Sequence, residues 1–189
     1  MRKHLLPHVL IISLVFLLAP TAHVASYAGE IETYKEEVRN NPDDAEALLK
    51  LGLAYGESGK YEEAIESYKQ AIRLDPDYAD AHNNLGNAYI VLDRYKEATE
   101  AYKQAIRLNP DDEEFHFALG IAYGNLGMFE EAVEACKQAI KIDPGYAKAH
   151  YALGITYSAN DKGAALEQYE ILKNLDSELA NKLFNFIYK

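Results

Sequence analysis

The side chains best suited to chemistry in this sequence are three histidines, His82, His116 and His150, which lie 34 residues apart. Imidazoles in a regular series could hold a metal ion or supply a general base. If the spacing reflects stacked structural units, equivalent side chains lie about 10 Å apart, much too far to share an ion bound at about 2 Å. We therefore expect the three rings to be core residues that pack against neighbouring units.

A single cysteine and several pairs of adjacent carboxylates are the other groups with catalytic potential. Cys136 lies in EACKQAI, on the expected buried face and without a nearby histidine, so we expect a small apolar filler. The pairs Glu62-Glu63, Asp111-Asp112 and Glu130-Glu131 lie at expected helix starts, where the helix dipole favours negative charge. The sequence shows no serine–histidine–acid set, dinucleotide loop or Cys/His cluster. We expect no enzymatic activity, no cofactor and no metal.

The composition is that of a folded, acidic protein. Of the 189 residues, 49% are hydrophobic and 26% are charged, and the formal net charge is −11. Such a surface repels the phosphates of nucleic acids and anionic lipids, which require cationic partners. We therefore expect no nucleic acid as a partner, and contact with a membrane only through the N-terminus. One cysteine allows no intramolecular disulfide, so packing must supply the stability.

The N-terminal sequence has the layout of a secretory signal. Arg2 and Lys3 precede an apolar run that ends at Ala19, and small residues suited to a signal peptidase follow it. The run is short for a membrane span. We expect residues 1–28 to be a signal peptide and the protein to be periplasmic or secreted. The alternatives are an uncleaved membrane anchor formed by residues 5–19, or a buried helix.

The rest of the chain repeats with a period of 34 residues. The letters KQAI occur at 69–72, 103–106 and 137–140, and apolar residues recur around them at helical spacing. With Ala45 as position 1, the recurring residues are glycine at position 8 (Gly52, Gly86, Gly120, Gly154), tyrosine at position 11 (Tyr55, Tyr89, Tyr123, Tyr157) and proline at position 32 (Pro76, Pro110, Pro144). Because a proline ends the preceding helix, the pattern predicts two helices in each unit.

This pattern resembles the tetratricopeptide repeat (TPR) over residues 45–176. The resemblance implies an all-α, right-handed TPR solenoid of helix-turn-helix repeats. The expected divisions are a partial repeat helix at 29–44, repeats at 45–78, 79–112 and 113–146, a shortened repeat at 147–176, and a capping helix at 177–189. A terminal cap is needed because a stack of repeats leaves its last apolar face uncovered.

The resemblance also implies where a partner binds, since TPR arrays hold a peptide or helix in the concave groove that their first helices line. Positions matched one by one predict an apolar and aromatic floor with an asparagine cluster. The predicted groove residues are Leu49, Leu53, Asn83, Asn84, Asn87, Ile90, Phe117, Ile121, Tyr151 and Ile155. Phe117 and Tyr151 are the expected anchors, because aromatic side chains often dominate binding. The basic residues with which chaperone-binding TPR proteins hold a terminal carboxylate are absent at the matching positions.

We therefore expect an exported adaptor whose groove holds an apolar or basic segment of a partner protein. The alternative is a self-associating scaffold of the cell envelope, in which the missing half-repeat and the tail FNFIY at 184–188 let copies stack end to end. An enzyme with an unrecognised site is a weaker alternative. Family membership alone does not identify the partner.

Overall fold

The computed structural model describes residues 24–189, with side chains from Tyr27 onward. Most of the expected signal peptide, and all of the alternative anchor at 5–19, lies outside the described residues. The described chain is all-helical: α1 (Val24–Asn40), α2 (Ala45–Glu57), α3 (Tyr61–Leu74), α4 (Ala79–Val91), α5 (Tyr95–Leu108), α6 (Glu113–Leu126), α7 (Phe129–Ile142), α8 (Ala147–Ser158), α9 (Lys162–Leu175) and α10 (Ser177–Ile187). Within this range we find no helix with the length and apolar content of a membrane span.

The helices form the all-α, right-handed TPR solenoid that the sequence predicts. Each second helix (α3, α5, α7) packs on the first helix of its own repeat and on the first helix of the next one. The first helices α2, α4, α6 and α8 also contact one another in turn. They therefore lie side by side and line one face of the stack, while the second helices form the other.

Carboxylates define several helix starts, as predicted. Asp44 accepts a hydrogen bond from the backbone N–H of Ala47 at 3.0 Å, and Asp112 accepts one from that of Glu114 at 3.0 Å. The predicted acid pairs at 62–63 and 130–131 lie in the first turns of α3 and α7. These carboxylates meet the positive ends of helix dipoles, which accounts for them without catalysis.

The glycine at position 8 lets the two helices of a repeat approach closely. A Cβ atom on Gly86 would lie 2.5 Å from the ring of Tyr102, so only glycine fits there without a shift. Gly52 faces Tyr68 in the same way. In the fourth repeat, however, a Cβ on Gly154 would meet Leu183 of α10 at 2.5 Å. The cap, not the tyrosine of its own second helix, fills the space beside this glycine.

The two ends of the solenoid are covered by single helices. Helix α1 begins at Val24, five residues before the expected start at 29, and buries Ile31 in a cluster with Leu51. Helix α10 packs over α8 and α9 and buries Leu179 and Leu183. Two aromatic residues of the tail, Phe184 and Tyr188, stay exposed and lie in contact with each other.

Candidate partner-binding groove

The three histidines tie each first helix to the turn before it. In each case Nε2 lies at hydrogen-bond distance from a proline carbonyl six residues earlier: His82 to Pro76 at 3.0 Å, His116 to Pro110 at 2.9 Å and His150 to Pro144 at 3.1 Å. His82 and His116 are only half-buried, which differs from the expectation that all three are core. The reason is that each ring lies across a surface turn, where its Nε2–H can donate to the carbonyl.

His150 is buried and has a second partner. Its Nδ1 lies 2.8 Å from the side-chain amide of Gln168 on α9, which is also buried. The amide atom assigned at this contact is Oε1, which can only accept, so Nδ1–H donates to it as placed, while Nε2 faces the carbonyl oxygen of Pro144. This buried pair joins the two helices of the fourth repeat.

The predicted groove residues divide into buried and accessible sets. The buried ones are Leu49, Asn83, Ile90, Phe117 and Tyr151. The accessible ones are Leu53, which is 38% exposed, and the half-buried Asn84, Asn87, Ile121 and Ile155. The side chains that a partner can reach therefore lie at positions 6 and 9 of the first helices, and those at position 5 are covered.

The two expected aromatic anchors are among the covered residues. Phe117 is 7% exposed and meets the ring of Tyr146 edge-on, with centroids 5.5 Å apart. Tyr151 packs in a cluster with Leu172 and Leu183, beneath the cap. A large side chain at position 5 fills the space beside the start of the next helix, so both rings pack within the stack, and Tyr151 also forms part of the wall of a small pocket between α6 and α8.

A small apolar pocket opens between α6 and α8, where sequence reasoning did not place one. Its volume is about 20 Å³, and it is lined by Gly120, Ile121, Gly124, Cys136, Tyr151, Ala152, Ile155 and Thr156. The signal was present in the sequence: the third repeat has Cys136 where the first two have tyrosine. The sulfur of Cys136 fills the space directly beside Gly120, where a Cβ atom would lie 2.8 Å from it, but the volume that the rest of a tyrosine ring would occupy stays open.

Cys136 is buried, as predicted, and burial raises the pKa of its thiol to about 12. The group therefore stays protonated near neutral pH. A nucleophilic cysteine requires the thiolate. Its environment thus fits an apolar filler that helps to form the pocket floor.

The asparagine cluster of the second repeat has an uneven hydrogen-bond pattern. Asn84 donates from Nδ2 to the carbonyl of Asp80 at 2.9 Å, and Asn87 accepts at Oδ1 from the hydroxyl of Tyr102 at 2.7 Å. Asn83 is 7% exposed, and its buried Oδ1 has no hydrogen-bond partner. On the half-buried pair, these bonds leave the oxygen of Asn84 and the NH₂ group of Asn87 unused.

Charge changes sign along the groove. Glu46 of the first repeat is neutralised by Lys50 at 2.8 Å, whereas Asp80 and Glu114 form none of the ion pairs found among residues 24–189. Burial and, after it, the charge of Glu114 raise the pKa of the Tyr146 hydroxyl. The matching residue of the fourth repeat is the exposed Lys148. The charge at position 2 thus changes from negative in the second and third repeats to positive in the fourth.

Comparisons with known proteins agree with this architecture. A family model described as "TPR repeat" matches residues 55–93 and 86–127, and models described as "Tetratricopeptide repeat" match 114–146 and both 33–66 and 135–171. A comparison with curated proteins finds no match.

Solved structures of the protein MamA are similar to this chain. One is 28% identical with a TM-score of 0.76, and the match covers 88% of this chain and 99% of that one. Another is 32% identical with a TM-score of 0.69, covering 84% and 83%. MamA from Desulfovibrio magneticus RS-1 is 25% identical with a TM-score of 0.76, covering 83% and 89%.

Proposed function

Because the chain belongs to the tetratricopeptide repeat family, we propose that it is an exported adaptor whose concave groove binds a segment of a partner protein. The observation that carries the proposal is the accessible apolar floor formed by Ile121 and Ile155, with the pocket between α6 and α8 beside it. Apolar side chains held partly open on a rigid surface favour the burial of a partner's apolar side chain.

The shape of this floor suggests what it holds. Position 6 is alanine in the third and fourth repeats, Ala118 and Ala152, so no bulky side chain stands over the two isoleucines. A pocket of about 20 Å³ admits little more than one methyl-sized group. The segment that fits carries a small aliphatic side chain whose tip enters the pocket.

Export is the second part of the proposal, and it rests on the signal-like sequence of residues 1–28. The N-terminal mass of the protein purified from its native host tests this part. A chain that starts near Tyr27 or Gly29 in a soluble envelope fraction supports export. An intact Met1 in the membrane fraction would contradict cleavage and favour an anchor at 5–19 that tethers the repeats.

Photo-crosslinking tests the groove directly. The photoreactive residue p-benzoylphenylalanine replaces Ile155 in the full chain, and a matched control carries it at Glu134, which is exposed on the outer helix α7. After irradiation in the native host, we expect adducts from position 155 and none from 134. Equal adducts from both positions, or none from 155, would contradict groove binding. An adduct of twice the chain mass would favour the self-associating scaffold.

A further inference from the structure

We propose that the outer cleft, which is bordered by Val38 of α1, Tyr55 of α2 and Glu66 of α3, binds a lysine- or arginine-bearing segment of a second partner protein. The cleft lies on the face of the second helices, away from the concave groove, so this inference goes beyond the proposed function and does not depend on it. It holds a pocket of about 380 Å³, against about 20 Å³ for the pocket between α6 and α8. Complete side chains of a partner therefore fit inside it.

The floor of the outer cleft is apolar. Helices α1 and α3 both pack on α2 and do not pack on each other, which leaves part of α2 uncovered between them. Leu48 and Leu51 of α2 form the floor, and the half-buried side chains of Val38 and Tyr55 border it. A ligand that covers these side chains removes apolar surface from water, so the floor favours an aliphatic group.

Position 4 makes this floor different from the equivalent place in the later repeats. The residue there is Leu48 in the first repeat, and His82, His116 and His150 in the others. Each of the three rings faces the carbonyl of the proline six residues earlier. The first repeat has the matching proline, Pro42, but an aliphatic side chain follows it. The polar ring of the later repeats is thus replaced by an apolar surface in the first.

The wall that α3 contributes is rich in acceptors. Glu62, Glu66 and Gln70 follow one another at four-residue intervals and are exposed, with Glu63 beside them. Side chains at this spacing share one face of a helix, so they form a stripe about 12 Å long. Glu66 is paired with Lys69 at 3.6 Å, and both side chains are accessible to water. Such a pair contributes little to stability, so a ligand's cation can take the place of Lys69.

Two further cations of the chain lie at one end of the cleft. The Nζ atoms of Lys35 and Lys60 are each 6.0 Å from the centroid of the Tyr55 ring. Lys60 comes directly before α3, whereas Glu66 and Gln70 lie one and two turns into that helix. The end of the cleft beside Glu66 and Gln70 is therefore the one where a further positive charge meets the least repulsion.

A lysine or arginine side chain matches both the floor and the wall. Its aliphatic stem can lie along the apolar floor while its charged head stays at the edge, in contact with water and carboxylates. The head fits between Glu63 and Glu66, which lie one turn apart on the same face of α3. A purely apolar side chain would gain nothing from the glutamates, and an acidic one would be repelled by them. Charge and shape together thus favour a basic segment.

The test uses end-blocked peptides Ala-Xaa-Ala-Xaa-Ala in which Xaa is lysine, acetyl-lysine or 2,4-diaminobutyric acid. Acetyl-lysine keeps the stem and loses the charge, whereas diaminobutyric acid keeps the charge on a stem two CH₂ groups shorter. Binding to the full chain at pH 6 is followed by NMR shifts of the Val38 and Tyr55 side chains. We expect the lysine peptide to bind about tenfold more tightly than the acetyl-lysine form, with less difference at high salt. It should bind about threefold more tightly than the short-stem form.

Protein variants locate the charge effect. Replacing both Glu63→Gln and Glu66→Gln keeps the shape of the wall and should weaken the lysine peptide about tenfold. The matched control is Glu131→Gln with Glu134→Gln, at the same positions of the third repeat, where Glu134 is paired with Lys137 at the same 3.6 Å. The control loses the same charge from α7 and should leave binding unchanged.

A third variant tests the floor. Leu48→His gives the first repeat the residue of the other three, and the new ring can face the Pro42 carbonyl as His82 faces that of Pro76. We therefore expect the variant to keep its helicity, checked by circular dichroism, and to bind the lysine peptide about fivefold less tightly. Unchanged binding would show that the floor takes no part, and would overturn the proposal.

The other outcomes separate the outer cleft from the concave groove. Equal binding of the lysine and acetyl-lysine peptides would overturn the basic ligand, and equal binding of the lysine and short-stem peptides would reduce the cleft to a charged surface. Equal weakening by the α3 and α7 variants would overturn the location. Shifts at Ile121 and Ile155 without shifts at Val38 and Tyr55 would overturn the outer cleft and leave the groove function standing. Cross-linking from position 155 tests that function independently.

Discussion

The second and third repeats share one backbone pattern and differ in the residues that occupy its key positions. In the second, the ring of Tyr102 fills the space beside Gly86, and its hydroxyl donates to Asn87. In the third, the matching residues are Cys136 and Ile121, and a pocket of about 20 Å³ remains between them. The groove surface is therefore polar beside Tyr102 and Asn87, and apolar beside Cys136 and Ile121.

This difference shows that the outer helix influences the chemistry of the inner surface. A tyrosine that reaches through the repeat brings a hydroxyl to the groove, and a mostly buried hydroxyl is stable only if an acceptor is available. A thiol is nearly apolar and does not require a hydrogen-bond acceptor. Position 24 on the second helix and position 9 on the first are thus best understood as a pair: Tyr102 with Asn87, and Cys136 with Ile121.

The largest effect on stability is expected when Tyr102 of the second repeat is replaced by cysteine, the residue that the third repeat has at the same position. Tyr102→Cys removes most of a buried ring and leaves Asn87 without its donor, so we expect a loss of about 3 kcal/mol in the free energy of unfolding. Urea denaturation followed by circular dichroism measures it. Cys136→Ala is the control in the third repeat and should cost about 1 kcal/mol, because the side chain is small and borders a cavity already. A loss in Tyr102→Cys no larger than in the control would contradict the pairing.

The fold was accessible from the sequence because its packing problem recurs. Gly86 and Tyr102 return in equivalent form 34 residues earlier as Gly52 and Tyr68, and a repeated contact leaves a repeated pattern. The histidine bonds were also within reach, since each ring follows a proline by six residues. The hydrogen-bond acceptor of each histidine was not predicted, because a shared spacing does not indicate whether a ring packs against apolar groups or donates a hydrogen bond.

The candidate site was less accessible, because exposure depends on what covers a position. Family positions predicted that Phe117 and Tyr151 face the groove, but the start of α8 covers one and the cap covers the other. The buried oxygen of Asn83 has no hydrogen-bond partner, and nothing in the local sequence predicts that no donor reaches it. Leu183 replaces the tyrosine of the fourth repeat beside Gly154, a contact that no local pattern encodes.

A smaller effect should appear at high pH, and it tests whether the pocket of the third repeat is dry. Burial raises the pKa of Cys136 from 9.0 to about 12. Between these values the folded chain keeps a proton that the unfolded chain has lost, so the free energy of unfolding falls as pH rises, by about 1.4 kcal/mol per pH unit. This contribution is fully present below pH 9.

The measurement compares urea denaturation of the unaltered protein and of Cys136→Ala from pH 8 to pH 10.5. Buried tyrosines titrate in both proteins and cancel in the difference. We expect the advantage of the unaltered protein to shrink above pH 9. Parallel profiles would mean that the thiol is as easily ionised in the folded chain as in the unfolded one, and that water reaches the pocket floor.

The smallest effect compares two tyrosines with the same packing and different neighbours. Tyr102→Phe removes the donor to Asn87, and we expect a loss of about 1 kcal/mol, because Asn87 is half-buried and water replaces the hydroxyl only in part. Tyr68→Phe should cost close to nothing, since position 9 of the first repeat is the apolar Leu53 and offers no acceptor. Chemical denaturation of both variants gives the difference. Equal losses in the free energy of unfolding would show that the hydrogen bond from the Tyr102 hydroxyl to Asn87 does not distinguish the second repeat. The polar groove surface of that repeat would then not depend on helix α5.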